Sequence, residues 1–196
     1  MRNRARSLSP RVSALRLLLL DVDGVLTDGK IYVGPGGFEL KSFHVHDGLG
    51  IKLLEEAGIR VGFLSNRKSP LVVRRARELG VRIVQTGLAD KVAAYEKLKR
   101  KLRLQDHEVG YMGDDLPDLD LLKKVGLPFT VRGAPPELTR VALYATRRRG
   151  GEGAVREIAE LILRELSESR PSRRWSLKAK SFGNSKKPVS SGIRRS

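Results

Sequence analysis

The chain has no cysteine, which removes a disulfide frame and any thiolate metal site and fits a reducing compartment, with the cytoplasm as the simplest expectation. Long apolar runs are missing too. The stretch Leu17–Leu20 is cut off by Asp21, too short for a signal-peptide core or a membrane span. Acid is missing from both ends: residues 1–16 carry five arginines, and residues 170–196 carry nine lysines and arginines, with no aspartate or glutamate in either. The formal net charge of +17 therefore belongs mostly to the ends. Residues 17–169 hold 25 basic against 22 acidic side chains, so the middle of the chain is nearly neutral and offers no dedicated nucleic-acid site. Its glycine-rich pieces match neither a phosphate-binding P-loop nor a dinucleotide fingerprint, which leaves a nucleotide cofactor without support.

What is present is an alternation. After a strand ending at Asp21, Lys30 to Phe43 gives two short strand-like runs around Gly34-Pro-Gly-Gly37, a β-hairpin pattern. Helical spacing over Gly48–Ala57, a strand over Arg60–Ser65 and a helix opened by Ser69-Pro70 and closed by Gly80 come next. Strand Val81–Gln85, helix Ala89–Leu102, strand Glu108–Met112, helix Leu116–Val125, strand Pro128–Val131, a short helix near Pro136–Arg140, strand Ala142–Thr146 and a last amphipathic helix Gly153–Leu166 complete the series. The expected fold is α/β, a Rossmann-like parallel sheet flanked by helices with a small hairpin insertion and no cap domain. Residues 1–14 read as a basic N-terminal extension, 15–168 as the domain, and 169–196 as a basic disordered tail, because few apolar residues there can offset chain entropy.

Carboxylates stand where those strands end: Asp21 and Asp23 after the first, Asp114 and Asp115 after Tyr111-Met-Gly. One acid after a strand is commonly a helix cap or turn residue. Two clusters about ninety residues apart, facing the crevice beyond the carboxyl ends of a parallel sheet, suit Mg²⁺ and phosphoryl transfer. An aspartate attacks phosphorus, a second serves as acid and base, and Ser65 and Lys91 at intervening strand ends hold phosphoryl oxygens.

This order resembles the haloacid-dehalogenase superfamily of phosphatases. The resemblance implies that Asp21 is nucleophile and metal ligand, that Asp23 is acid/base and lends its backbone carbonyl to the metal, and that Asp114 completes the metal set. The segments Phe43-His-Val-His-Asp-Gly-Leu-Gly50, Gly113-Asp-Asp-Leu-Pro-Asp118 and Gly150-Gly-Glu-Gly-Ala-Val-Arg-Glu157 narrow it to the 3-deoxy-D-manno-octulosonate (KDO) 8-phosphate phosphatase family. That implies a homotetramer whose hairpins cap neighbouring sites, a place in lipopolysaccharide synthesis, and a sugar-acid phosphate pocket formed by Asp23, His44, Val45, His46, Asp47, Gly48, Lys52, Arg67, Arg75 and Lys91.

Individually these residues read more plainly. Lys91 by position alone is a solvated side chain, and Arg67 and Arg75 are surface arginines. His44 and His46 alternate along a strand-like stretch and share a face, and imidazole does not suit Mg²⁺. Asp118 reads as an N-terminal helix charge. Asn66 stands where the family often has glycine, and His46 where an arginine or lysine is frequent in it. Three alternatives stay open: a phosphatase for a nine-carbon acid such as N-acylneuraminate or KDN 9-phosphate, a silent oligomerisation module, and a nucleic-acid tether formed by the basic ends.

Overall fold

The structure, a computed structural model, describes residues 8–169; the expected tail lies outside them except for Ser169. In chain order the elements are α1 (Leu8–Ala14), β1 (Leu17–Leu20), β2 (Tyr32–Val33), β3 (Glu39–Leu40), α2 (Val45–Glu56), β4 (Arg60–Ser65), α3 (Pro70–Leu79) and β5 (Ile83–Thr86). They continue with α4 (Lys91–Leu102), β6 (Val109–Gly113), α5 (Leu119–Lys124), β7 (Leu127–Thr130), α6 (Pro136–Val141), β8 (Tyr144–Ala145) and α7 (Ala154–Ser169).

Four consecutive leucines make β1 the middle of the protein. Strand side chains alternate, so Leu18 and Leu20 enter one core while Leu17 and Leu19 enter the other. Both faces are buried, as a parallel sheet requires. Val12 of α1, Ile51 and Leu54 of α2, Val72 of α3 and Ile158 and Ile162 of α7 fill the first core. Tyr95 and Leu98 of α4, Leu121 and Leu122 of α5 and Leu138 of α6 fill the second. The six-stranded order is β5-β4-β1-β6-β7-β8, all parallel. The chain moves outward through β4 and β5, then returns to the other side of β1 for β6, β7 and β8. The order therefore reverses beside β1, and a crevice opens at its carboxyl end.

Several local expectations shift. Leu8 and Val12, one helical turn apart, are buried in α1 inside the expected extension, and Arg11 Nη1 donates to the Gly126 carbonyl at 3.2 Å. The stretch around His44 and His46 is not strand-like but the start of α2: His44 is its N-cap, and its Nδ1 accepts from the His46 N–H at 3.2 Å. Pro117 and the reciprocal bonds of Asp115 and Asp118 split the expected helix at Leu116 into a 3₁₀ turn followed by α5. The hairpin is present, but only Tyr32–Val33 pairs with Glu39–Leu40, because the Gly34–Phe38 turn takes up the residues between. No helix among the described residues is long and apolar enough to cross a membrane.

Candidate active site

Register places the strand-end residues together. Leu20 lies level with Phe63 of β4 and Met112 of β6, and the Asp21 N–H donates to the Met112 carbonyl at 2.9 Å. Asp21 is thus level with Leu64 and Gly113, and Ser65 and Asp114 stand one residue further along. Lys91 opens α4, whose N-cap Asp90 accepts from the Ala93 N–H at 3.0 Å. Far from being solvated, Lys91 is buried, and its ammonium donates to Asp21 Oδ1 at 2.5 Å and Asp118 Oδ1 at 2.6 Å.

The loop after β1 is held from inside. Thr27, buried, accepts from the N–H groups of Gly24 and Gly29 and donates to the Val22 carbonyl. Gly24 has φ +94°, and a Cβ there would overlap the Asp114 carboxylate, so glycine lets the two acidic loops close on each other. Gly150 meets the same loop from α7's side: a Cβ there would overlap the Gly24 carbonyl.

Asp118 is the site residue that sequence reasoning passed over. Its Oδ1 accepts from Lys91 and, at 2.6 Å, from the buried Tyr111 hydroxyl; its Oδ2 accepts from the Asp114 N–H at 3.0 Å. Its place at a helix start is as expected, and Oδ2 makes the bonds of such a residue; the bonds of Oδ1 to Lys91 and Tyr111 are what tie it to the site. The signal was present in the four-residue spacing from Asp114, but only the fold brings Tyr111 and Lys91 to the same carboxylate.

Three carboxylates, Asp21, Asp114 and Asp118, have ligand atoms within 4.8 Å of one another. Burial, then Asp118, pushes the Asp21 carboxyl up to about 6 despite the opposing effect of Lys91. Burial, then Asp21 and Asp118, pushes Asp114 up to about 8. Burial opposes the charge on Lys91, yet Asp21 and Asp118 together hold its ammonium above the ordinary lysine value. One cation thus faces three acids in a desolvated place, an arrangement that favours further positive charge. Hard oxygen donors of this kind fit Mg²⁺. Asp118 already has its oxygens in hydrogen bonds, so Asp21 and Asp114 are the carboxylates best placed as ligands. The Asp23 side chain lies outside this cluster, paired with Lys41; the resemblance gives the metal only its backbone carbonyl.

The remaining expected residues divide. Ser65, buried at the end of β4, accepts from the Arg67 N–H at 3.1 Å and donates to the Arg67 carbonyl at 3.2 Å. Asn66 ties the same loop to the Leu88 carbonyl at 2.8 Å. Arg75 does reach the His44–Gly48 segment: its guanidinium lies 5.8 Å from the Phe43 ring, and a Cβ on Gly48 would meet its Nη2 at 2.7 Å. Val45 is 76% exposed, His46 is exposed, His44 is half-buried, and Lys52 follows half-buried on α2. Asp47 is buried, and its Oδ1 accepts from the Arg156 N–H at 2.7 Å, an acid at the start of α7. Its carboxylate joins α2 to α7, a structural bond that the pocket expectation did not foresee. Arg67 Nη2 lies 3.3 Å from Glu39 Oε2. Lys41, unassigned from sequence, has a side chain only 1% exposed; it pairs with Asp23 Oδ1 and lies 3.6 Å from Glu39 Oε1. Glu39 and Lys41, two apart in an extended segment, were its only sequence cue.

Residues 73–158 match the haloacid dehalogenase-like hydrolase family. The chain is 45% identical over 153 residues to the 3-deoxy-D-manno-octulosonate 8-phosphate phosphatase of Yersinia pestis, covering 78% of this chain and 82% of that protein. It is 46% identical over 149 residues to the Escherichia coli K12 enzyme of the same name, covering 76% and 79%. The crystal structure of the Moraxella catarrhalis phosphatase, in complex with magnesium ion, phosphate ion and KDO, superposes with a TM-score of 0.80 at 38% identity, covering 82% of this chain and 92% of that one. With the acidic strand ends, the buried lysine and the hairpin all in place, the chain belongs to the 3-deoxy-D-manno-octulosonate 8-phosphate phosphatase family of haloacid dehalogenase-like hydrolases.

Proposed function

We propose that the protein is a Mg²⁺-dependent phosphatase that hydrolyses 3-deoxy-D-manno-octulosonate 8-phosphate to KDO and phosphate in lipopolysaccharide synthesis. The observation that carries this is the joining of Asp21, Asp114, Asp118 and Lys91 at the ends of β1 and β6 in a chain of this family. An Asp21 carboxylate oxygen attacks phosphorus and the bond from phosphorus to the sugar oxygen breaks, while Asp23 gives its proton to that oxygen. Water then attacks the phosphorus of the aspartyl phosphate as Asp23 takes a proton from it, and the bond from phosphorus to the Asp21 oxygen breaks, releasing phosphate and restoring Asp21. Ser65 and Lys91 hold phosphoryl oxygens, and Asp118 keeps Lys91 in place. Mg²⁺, held by Asp21, Asp114 and the Asp23 backbone carbonyl, supplies charge neutralisation at the phosphoryl group.

The sugar acid would meet His44, Val45, His46, Gly48, Lys52, Arg67 and Arg75, with Asp47 supporting this segment from beneath. Arginine suits the two-point contact that a sugar carboxylate offers. We further propose a cytoplasmic homotetramer in which hairpins cover neighbouring sites, with the phosphatase domain beginning at α1. The hairpin supports this: Val33 is 71% and Phe38 60% exposed, beside exposed Ile31, Tyr32 and Leu40, and a lone two-stranded hairpin is marginal in water.

The test is phosphate release with Mg²⁺ from 3-deoxy-D-manno-octulosonate 8-phosphate, KDN 9-phosphate and a simple sugar phosphate, with Asp21→Asn as control. Preference for the first is expected. Equal rates on all three would reduce the assignment to a general phosphatase, and preference for the second would transfer it to nine-carbon acids.

A further inference from the structure

The hairpin is wired into the site by its charges. Lys41, on the segment that leaves β3, buries its whole side chain to place its ammonium on Asp23 Oδ1. Burying an ammonium is costly unless it is paired, and here the pairing is with the residue read as the acid and base. Glu39 of β3 stands behind it. Its Oε1 is buried without a hydrogen-bond partner and lies 3.6 Å from the Lys41 ammonium, while its Oε2 reaches Arg67 beyond the end of β4. Asp23, Lys41, Glu39 and Arg67 thus form a chain of alternating charge from the loop after β1, through the hairpin's return limb, to the loop after β4.

We propose that Lys41 is a positioning residue for Asp23: by holding Oδ1 it fixes the carboxyl so that Oδ2 faces the leaving oxygen and, in the second step, the attacking water. Glu39 keeps Lys41 in that place, so the hairpin that we read as a cover for a neighbouring site also sets the acid/base of its own. The inference rests on the acid/base reading of Asp23 given above. Lys41 itself adds no bond-making step; the proton passes between Asp23 and the leaving oxygen, then between water and Asp23.

Leaving-group dependence separates this role from a merely structural one. The value of kcat/KM reports steps up to departure of the leaving group. An alkyl phosphate needs a proton at that point, whereas p-nitrophenyl phosphate does not. In the full chain with Mg²⁺, Lys41→Met is expected to lower kcat/KM for 3-deoxy-D-manno-octulosonate 8-phosphate by about 10²-fold, the scale of a misplaced general acid, and for p-nitrophenyl phosphate by less than about fivefold. Glu39→Gln, which leaves Lys41 in the chain, is expected to show the same selectivity with a smaller loss, and it stands in should Lys41→Met not fold. Equal losses on both esters, or no loss on either, would overturn the proposal. Asp23→Asn in the same assay tests the underlying reading separately: without an alkyl-selective loss there, the acid/base assignment of Asp23 fails whatever Lys41 does.

Discussion

The carboxyl ends of β1 and β6 and the hairpin between β1 and α2 differ in how much of their surroundings one chain provides. At the strand ends, Asp118 accepts from Lys91, Tyr111 and the Asp114 amide, and Lys91 joins it to Asp21. At the hairpin, two pairs of residues hold the strands together and five large apolar side chains face outward. The first region is finished within the chain, so its geometry answers to local substitutions. The second has apolar surface that nothing among the described residues covers, which is why we read it as a contact with another copy. Lys41 joins the two.

The largest effect should come from the finished region. Asp21→Asn keeps the shape but removes the proposed nucleophile, and turnover should fall by about 10⁴-fold or more, with sedimentation and thermal unfolding unchanged in form. Loss of the assembly in this variant would show that the two regions are not separable. Asp118→Ala comes next. It leaves the Lys91 ammonium with one carboxylate and strips the Tyr111 hydroxyl and Asp114 amide of their acceptor, so urea unfolding should show a loss of about 3 kcal/mol. A cost near zero would mean that relief of repulsion with Asp21 and Asp114 outweighs the lost bonds.

How far each region was legible in the sequence follows from the range of its interactions. Leu17–Leu20 followed by Asp21 announces a buried central strand and its end, and the series Asp21, Ser65, Lys91, Asp114 announces the site, because strand ends in a parallel sheet share a level. Asp118 reads correctly as a charge at a helix start, but its bonds to Tyr111 and Lys91, 7 and 27 positions away, form only in the folded chain, so its hold on Lys91 had no local trace. Asp47 was placed beside the pocket by resemblance, whereas its bond to Arg156 spans 109 positions and has no local trace. At α1 the basic composition outweighed the Leu8 and Val12 spacing, although two apolar residues one turn apart suffice to dock a short helix on a core. His44 looked like strand because a histidine N-cap is uncommon beside Ser, Thr, Asp and Asn.

The unfinished region should respond at a smaller scale. Val33→Asp combined with Phe38→Asp puts charge where the hairpin offers apolar surface, and light scattering should report a mass below that of the proposed tetramer, each site costing about 2 kcal/mol of assembly. Mg²⁺ affinity should stay unchanged, since neither substitution removes a carboxylate of the Asp21, Asp114 and Asp118 cluster. An unaltered mass would remove the hairpin from the interface and with it the reading of its exposed side chains.

A pH dependence again distinguishes the strand ends from the hairpin. Asp21 and Asp114 are raised from 3.8 to about 6 and about 8, so between about pH 4 and these values the folded chain without metal holds protons that the unfolded chain has released. Stability must then fall as pH rises through that window. Asp21 contributes to the fall up to about 6, Asp114 up to about 8, and the slope flattens above. Mg²⁺ binds the ionised carboxylates, so its stabilisation should grow over the same window and cancel the fall. Melting of the metal-free protein at pH 5.5 and pH 8, each with and without Mg²⁺, measures this: the metal-induced rise should be larger at pH 8. Asp114→Asn should abolish most of that difference, while Val33→Asp should leave it intact. A metal-free protein equally stable at both pH values would mean that the acids are already neutralised by groups other than Lys91, and the strand ends would then have no need of a divalent ion.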